Sequence, residues 1–248
     1  MIGSMEVRTV ERSIDILDRK AALEHVQQLL GVPEDVSLGP FIHQHPPVLK
    51  GNHLYCQGDQ AGDVYLLLDG TLKAYQVTHD GEESIIRFCF PGEVLWTSGF
   101  QAHARSTSVV ALEKSHLVSM ADSFLQHLMS DHECVQRRCF QLLSKIIKDE
   151  QAFIHLLAVG NADRRVAYLL LHIWKHRSAT GCNDAAIHIP MTRSDMGRYL
   201  GLSEETVSRV FSRLQNLGMI EIHHPDVKLR DLSRLRRLAD GDETPVTG

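Results

Sequence analysis

The residues best placed to do chemistry lie between Thr192 and Arg213, and the chemistry they suggest is recognition through hydrogen bonds, not bond breaking. Glu205, Ser208 and Arg209 fall at spacings of three and one, which brings them near one face of a helix together with Ser212. On such a face an arginine can donate to guanine O6 and N7, and a glutamate can accept from cytosine N4. Thr192, Arg193, Ser203, Thr206 and Arg213 are donors around the same stretch, suited to holding phosphates. Phosphate contacts set register without reading sequence. Double-stranded DNA is the partner this pattern predicts. Taken alone, Ser-Glu-Glu-Thr would be the solvated face of an ordinary helical hairpin, so the elements around it must decide.

Those elements favour a helix-turn-helix. A first helix ends at Leu200-Gly201-Leu202, where glycine supplies a tight turn. Ser203 is an N-cap, and Glu204 and Glu205 suit the positive end of the helix that follows. Val207, Leu214 and Leu217 are its inward candidates. After Gly218, the stretches 219–222 and 227–229 alternate as strands around His224-Pro225-Asp226, and 186–190 is a further extended segment. Helix, helix, hairpin is the order of a winged helix.

Upstream the period of the sequence changes. Residues 5–30 read as helical, and Pro33, Pro40, Pro46 and Pro47 then forbid long helices. Strand candidates at 64–68, 72–77, 85–88 and 108–111 are separated by turn signals at Gly58-Asp59, Asp69-Gly70, Asp80-Gly81 and Pro91-Gly92. Short strands at this spacing predict an antiparallel barrel or jelly roll, with Asp80-Gly81 as a two-residue hairpin turn. Residues 131–157 form the longest helical stretch, about 40 Å at 1.5 Å per residue. Val135, Cys139, Leu142, Leu143, Ile146 and Ile154 mark its apolar stripe, read as a dimer seam between two folded blocks. The expected fold is α+β: a β-roll domain over 1–130, a dimerisation helix over 131–159, a winged helix-turn-helix over 160–240 and a tail over 241–248.

Charge agrees with this division. Residues 1–159 carry 13 Lys and Arg against 20 Asp and Glu, whereas residues 160–248 carry 13 against 11, so the DNA-facing half is the C-terminal one. No apolar run is long enough to cross a membrane, and no signal peptide is evident, so a cytoplasmic protein is expected. Five scattered cysteines without a CxxC pair fit a reducing compartment. Cys56, Cys89, Cys134 and Cys139 read as small buried or half-buried residues; Cys182, in the loop beside the DNA-binding block, is the candidate redox thiol. An enzyme is not expected, because there is no Walker loop, HExxH, GxGxxG or Ser/His/Asp order. Fifteen histidines raise metal or haem sensing, but His43, His45, His53, His103 and His116 lack the spacing of a metal site and read as surface residues, so no metal site is expected.

The run TRSDMGRYLGLSEETVSRVFSRLQNLGMI closely resembles the winged helix of the Crp/Fnr regulators, and the likeness extends over residues 40–238. Lys50-Gly51, Gly58-Asp59, Tyr65, Gly70, Lys73 and Pro91-Gly92-Glu93 resemble that family's cyclic-nucleotide-binding-type β-roll, and 131–157 resembles its dimerisation helix. Glu205, Ser208 and Arg209 match the Fnr branch. The resemblance implies a homodimer on a palindrome near TTGAT-N4-ATCAA. It also implies an activator of low-oxygen or nitrogen-oxide genes, with the acidic tip 78–83 touching RNA polymerase. Two departures stand out. Trp96-Thr97 replaces the Gly-Glu pair of cyclic-AMP binders although Arg105-Ser106 is kept, and no cysteine precedes Cys56 to build the Fnr iron–sulfur cluster. Neither cofactor is therefore expected. A β-roll that senses another small molecule, haem or redox state remains the second reading.

Overall fold

Burial on both faces explains the run Val64-Tyr65-Leu66-Leu67. The computed structural model describes residues 19–96, 104–179 and 185–242, and places this run in strand β3 (Asp63–Asp69). Successive side chains of a strand point to opposite faces. Val64 and Leu66 join a cluster with Ala22, Val26 and Leu30 of helix α1 (Arg19–Leu30), while Leu67 faces the interior of the roll with Leu72, Val109 and Leu117.

The roll has two four-stranded antiparallel sheets. One is ordered β1 (Ile42–Gln44), β8 (His116–Ala121), β3, β6 (Val94–Leu95). The other is ordered β2 (His53–Tyr55), β7 (Ser108–Ala111), β4 (Leu72–Val77), β5 (Glu83–Cys89). The expected hairpin at Asp80-Gly81 needs a correction: the loop has three residues, 79–81. Thr78 N donates to Glu82 O at 2.9 Å, Gly81 N donates to Thr78 O at 2.9 Å, and Gly81 carries the positive φ of 80°. This is the turn-plus-bulge alternative to the two-residue type.

Helix α2 (Asp122–Asp131) ends at the extended residue His132, and α3 (Glu133–Val159) runs for 27 residues. Its apolar positions divide between two tasks. Val135 and Cys139 are fully buried against α1 and the roll, so they belong to this chain's own core and not to a dimer seam, a correction to the expected stripe. Leu142, Leu143 and Ile146 are half-buried, and Phe140, Ile147, Ile154 and Val159 are exposed.

Beyond α3 come α4 (Ala162–Ala179), β9 (Ala186–His188), α5 (Arg193–Leu200), α6 (Glu204–Asn216), β10 (Ile220–His223), β11 (Asp226–Leu229) and α7 (Leu232–Asp240). The wing is a three-stranded sheet ordered β10, β11, β9. Its core is continuous with the roll: Tyr75, Ile85, Phe88 and Phe90 of β4, β5 and the following turn lie in one buried cluster with residues of α3–α7. Residues 5–18 of the predicted N-terminal helix and 243–248 of the tail lie outside the described residues.

Candidate nucleic-acid interface

The α5–α6 turn is built by close approach. Gly201 adopts φ 63°, and a Cβ on Gly197 would lie 2.5 Å from Leu202 O, so only glycine lets the turn fold back onto α5. Both helices are capped. Thr192 and Asp195 form a reciprocal capping box at the start of α5, and Ser203 Oγ accepts from Thr206 N at 3.1 Å at the start of α6. Arg165 of α4 clamps the ensemble: it donates to Leu157 O at 2.8 Å, Gly160 O at 2.9 Å and Leu200 O at 2.8 Å, tying the end of α3 to the end of α5.

Helix α6 is strongly two-faced. Val207, Val210, Phe211 and Leu214 are buried, and Leu217 just beyond its end is half-buried. Glu205, Ser208, Arg209 and Ser212 are exposed together on the other side, as predicted. Arg209 Nη2 lies 2.5 Å from Glu205 Oε1. Thr192 and Ser203 are exposed and Thr206 half-buried, all three around the positive end of α6 or its partner helix.

Two of the expected phosphate donors have partners inside the domain. The Arg193 guanidinium lies 3.3 Å from the centroid of the buried Phe211 ring, and burial holds its pKa below the ordinary arginine value. Arg213 Nε lies 3.1 Å from Asp163 Oδ1 of α4, close in charge though not aligned as a hydrogen bond. Burial still pushes the Asp163 carboxyl up despite that arginine. Both arginines hold the scaffold, because each helix covers a neighbour that spacing along one chain segment cannot reveal.

A link to the roll was also hidden from the sequence. Lys73 of β4 lies 3.1 Å from both Asp195 of α5 and Glu83 of β5, and Arg198 reaches Glu83 at 3.4 Å. Burial pushes Asp195 up, but hydrogen bonds from Thr192 and Lys73 outweigh it and hold its carboxyl below the ordinary value.

The comparisons with known proteins fit this geometry. Residues 164–238 match the Crp-like helix-turn-helix domain and residues 47–132 the cyclic nucleotide-binding domain. Transcriptional activator protein anr of Pseudomonas aeruginosa is 34% identical over 212 residues, covering 86% of this chain and 87% of that protein. The chain belongs to the Crp/Fnr family. Transcriptional activator protein FnrA of Stutzerimonas stutzeri is 33% identical over 205 residues, 83% of this chain and 84% of that one. The structure of FixK2 from Bradyrhizobium japonicum superposes with a TM-score of 0.70 at 25% identity, covering 79% of this chain and 96% of the other. As a Crp/Fnr-type regulator the chain binds DNA, and α5 and α6 lie inside the matched helix-turn-helix domain.

The β-roll of this Crp/Fnr chain differs from the expectations in places. Arg105 is buried, donates to Asp63 O at 2.8 Å, and lies 4.3 Å from the Tyr55 ring centroid and 5.5 Å from that of Tyr65. It is a structural arginine of the roll. Trp96 packs against the cluster that α1, α3 and the β1–β8–β3–β6 sheet share; Thr97 and His103 lie outside the described residues. His43 and His53 are exposed as expected. Cys89 and Cys139 are buried, and burial pushes each thiol up to about 11. Cys56 and Cys134 are exposed, which corrects their expected burial. Cys182 lies outside the described residues. Among the described residues, one set could hold a metal: Glu93 of the turn after β5, with His172 and His176 of α4. Its histidines stand four apart in sequence, a usable signal, but the carboxylate comes from the other domain. Burial, with some repulsion from His176, holds His172 down to about 4.

Proposed function

We propose that this regulator acts as a homodimer on a palindrome near TTGAT-N4-ATCAA, each α6 entering a major groove, and that it activates transcription by contacting RNA polymerase. The observation that carries the reading is the face of α6: Glu205, Ser208 and Arg209 stand exposed in a row, while four buried apolar residues anchor the opposite side. A rigid helix can aim such side chains at base edges. Arg209 would donate to guanine and Glu205 would accept from cytosine, so their mutual ion pair gives way to bases of complementary chemistry. Thr192, Ser203 and Thr206 would take phosphates.

Dimerisation rests on α3. Phe140, Ile147 and Ile154 are exposed at 57%, 58% and 63% and stand seven residues apart, with Leu143 and Leu157 each three further on. That is the repeat of a two-helix seam, and a second α3 is its natural cover. Activation is supported by the names of the two relatives above, both called transcriptional activators. At the hairpin tip, Asp80 and Glu82 are exposed for a polymerase contact, whereas Glu83 is engaged by Lys73 and Arg198. The reading includes no cyclic AMP and no iron–sulfur cluster. What supports the first omission is Arg105, already held by Asp63 O and two tyrosine rings.

The test is a fluorescence-anisotropy titration of a TTGATnnnnATCAA duplex against a scrambled one at fixed salt, since phosphate contacts make affinity salt-dependent. Selective binding by the wild type, weakened at least about 30-fold in Arg209→Ala, is expected from the ~1–3 kcal/mol of each of the two arginine–guanine contacts that a homodimer makes. Equal binding to both duplexes, or an Arg209→Ala variant that keeps its selectivity, overturns the half-site assignment.

A further inference from the structure

At the seam between the roll and the winged helix, a carboxylate and two imidazoles from two domains converge. His172 and His176 lie one turn apart on α4, their ring centroids 4.6 Å apart at an interplanar angle of 62°. Glu93 reaches them from the Pro91-Gly92-Glu93 turn, with His176 Nε2 3.3 Å from Glu93 Oε1. One donor atom from each of the three lies within 4.8 Å of the others. The side chains of Glu93 and His176 are only 17% and 19% exposed.

We propose that Glu93, His172 and His176 bind a divalent first-row transition cation of the zinc class, and that the ion pins the winged helix to the β-roll.

The donor set suits that class. Two imidazoles and one carboxylate leave a fourth position to solvent and match borderline ions, whereas magnesium and calcium select oxygen ligands. Donors about 2.0–2.1 Å from a tetrahedral ion stand roughly 3.3 Å apart. The Glu93–His176 pair already has that separation, and His172 lies within 4.8 Å of both, so at most a small ring movement completes the set. The carboxylate is oriented from behind: its other oxygen, Oε2, accepts from Arg87 Nη2 at 2.7 Å and from Phe90 N at 3.2 Å. Such outer partners fix a ligand's direction. The Phe90 ring packs on both histidines, at 5.6 and 5.4 Å between centroids, and Tyr168 stacks on His172 at 5.8 Å, so the rings are held and partly shielded from water. Arg87, Lys145 and Lys175 are the charges that oppose a cation here. Glu93 pairs with Arg87 directly, and Asp149 and Glu150 of α3 add negative charge nearby.

The test uses full-length protein stripped with a chelator. Calorimetric titration with zinc chloride is expected to give one tight site per chain and a rise in melting temperature, with magnesium giving neither. Cobalt chloride is expected to give the ligand-field absorption of a tetrahedral ion. His176→Gln and His172→Gln should each weaken zinc at least about tenfold and shrink the thermal shift accordingly, while His43→Gln should leave both unchanged. X-ray absorption of the zinc-loaded wild type must report nitrogen and oxygen neighbours without sulfur, a readout that needs no variant to fold. No tight zinc site in the wild type, a sulfur-containing shell drawn from Cys56 or Cys134, or unaltered zinc affinity in folded His176→Gln would overturn the proposal.

Discussion

Replacing Arg165 by alanine should loosen the reading head without touching its outer face. The guanidinium makes three contacts of 2.8–2.9 Å, to Leu157 O, Gly160 O and Leu200 O, and Arg165 itself is half-buried. Hydrogen bonds to a charged group contribute roughly 1.5–3 kcal/mol each. Taking the low end for all three gives about 4.5 kcal/mol, and water entering the gap would recover roughly half, leaving a loss of about 2–3 kcal/mol. For a chain of this length that corresponds to a melting temperature lower by roughly 5–10 °C. Arg165→Lys can satisfy one carbonyl and should recover about a third. Thermal unfolding followed by circular dichroism measures both variants, and the anisotropy titration reads the consequence for α6. If Arg165→Ala melts within about 2 °C of the wild type, or Arg165→Lys restores it fully, the clamp is not what holds α3 to α5.

Three further outcomes follow from other contacts. Gly197→Ala places a Cβ 2.5 Å from the Leu202 carbonyl, so the turn must open; urea unfolding should show a loss of more than about 1 kcal/mol and DNA affinity should fall with it. Ile147→Asp puts a charge in the middle of the exposed α3 stripe and should shift the mass measured by light scattering from dimer to monomer, leaving circular dichroism unchanged. Asp195 has its carboxyl held below the ordinary value, chiefly by Thr192 and Lys73 once burial is overcome, so its contribution is present above the unfolded value of 3.8 and is lost as pH falls through the lower folded value. Acid unfolding of Asp195→Asn should therefore lack part of the wild-type destabilisation below about pH 4.

Period and punctuation carried most of the architecture. Short apolar segments at 64–68, 72–77 and 85–88 punctuated by turn residues, then three-and-four spacing from 131 onwards, mark the change from roll to helices, and Leu200-Gly201-Leu202 with Ser203 marks the helix-turn-helix almost residue by residue. What one segment cannot disclose is which of its sides a distant segment covers. Val135 and Cys139 share a stripe with Ile146 and Ile154, yet α1 and the roll claim them, with Leu142 packed beside them. Arg193 and Arg213 are spaced like phosphate donors, yet Phe211 and Asp163 claim them. Strands β1, β2, β6 and β8 carry no clear pattern of their own, three of them having only two or three residues. Helix α7 is faint in the sequence for another reason: it is short and rich in arginine, and only Leu235 and Leu238 are buried. The Lys73–Asp195 and Glu93–His176 contacts join residues far apart in the chain, which no local pattern encodes.

The shared apolar cluster around Phe88, Phe90 and Tyr199 bears on how a message could cross this molecule. Two bodies joined by a bare tether exchange little more than their average orientation. Here the ring of Tyr199, on α5, sits between Phe88 of β5 and Phe153 of α3, at 5.1 and 4.4 Å. A close-packed interior resists compression and passes displacements on. A shift of β5 by a fraction of an ångström would therefore press directly on the helix that seats α6, with no intermediate relay, and the reader and the roll would yield to heat or denaturant as a single block.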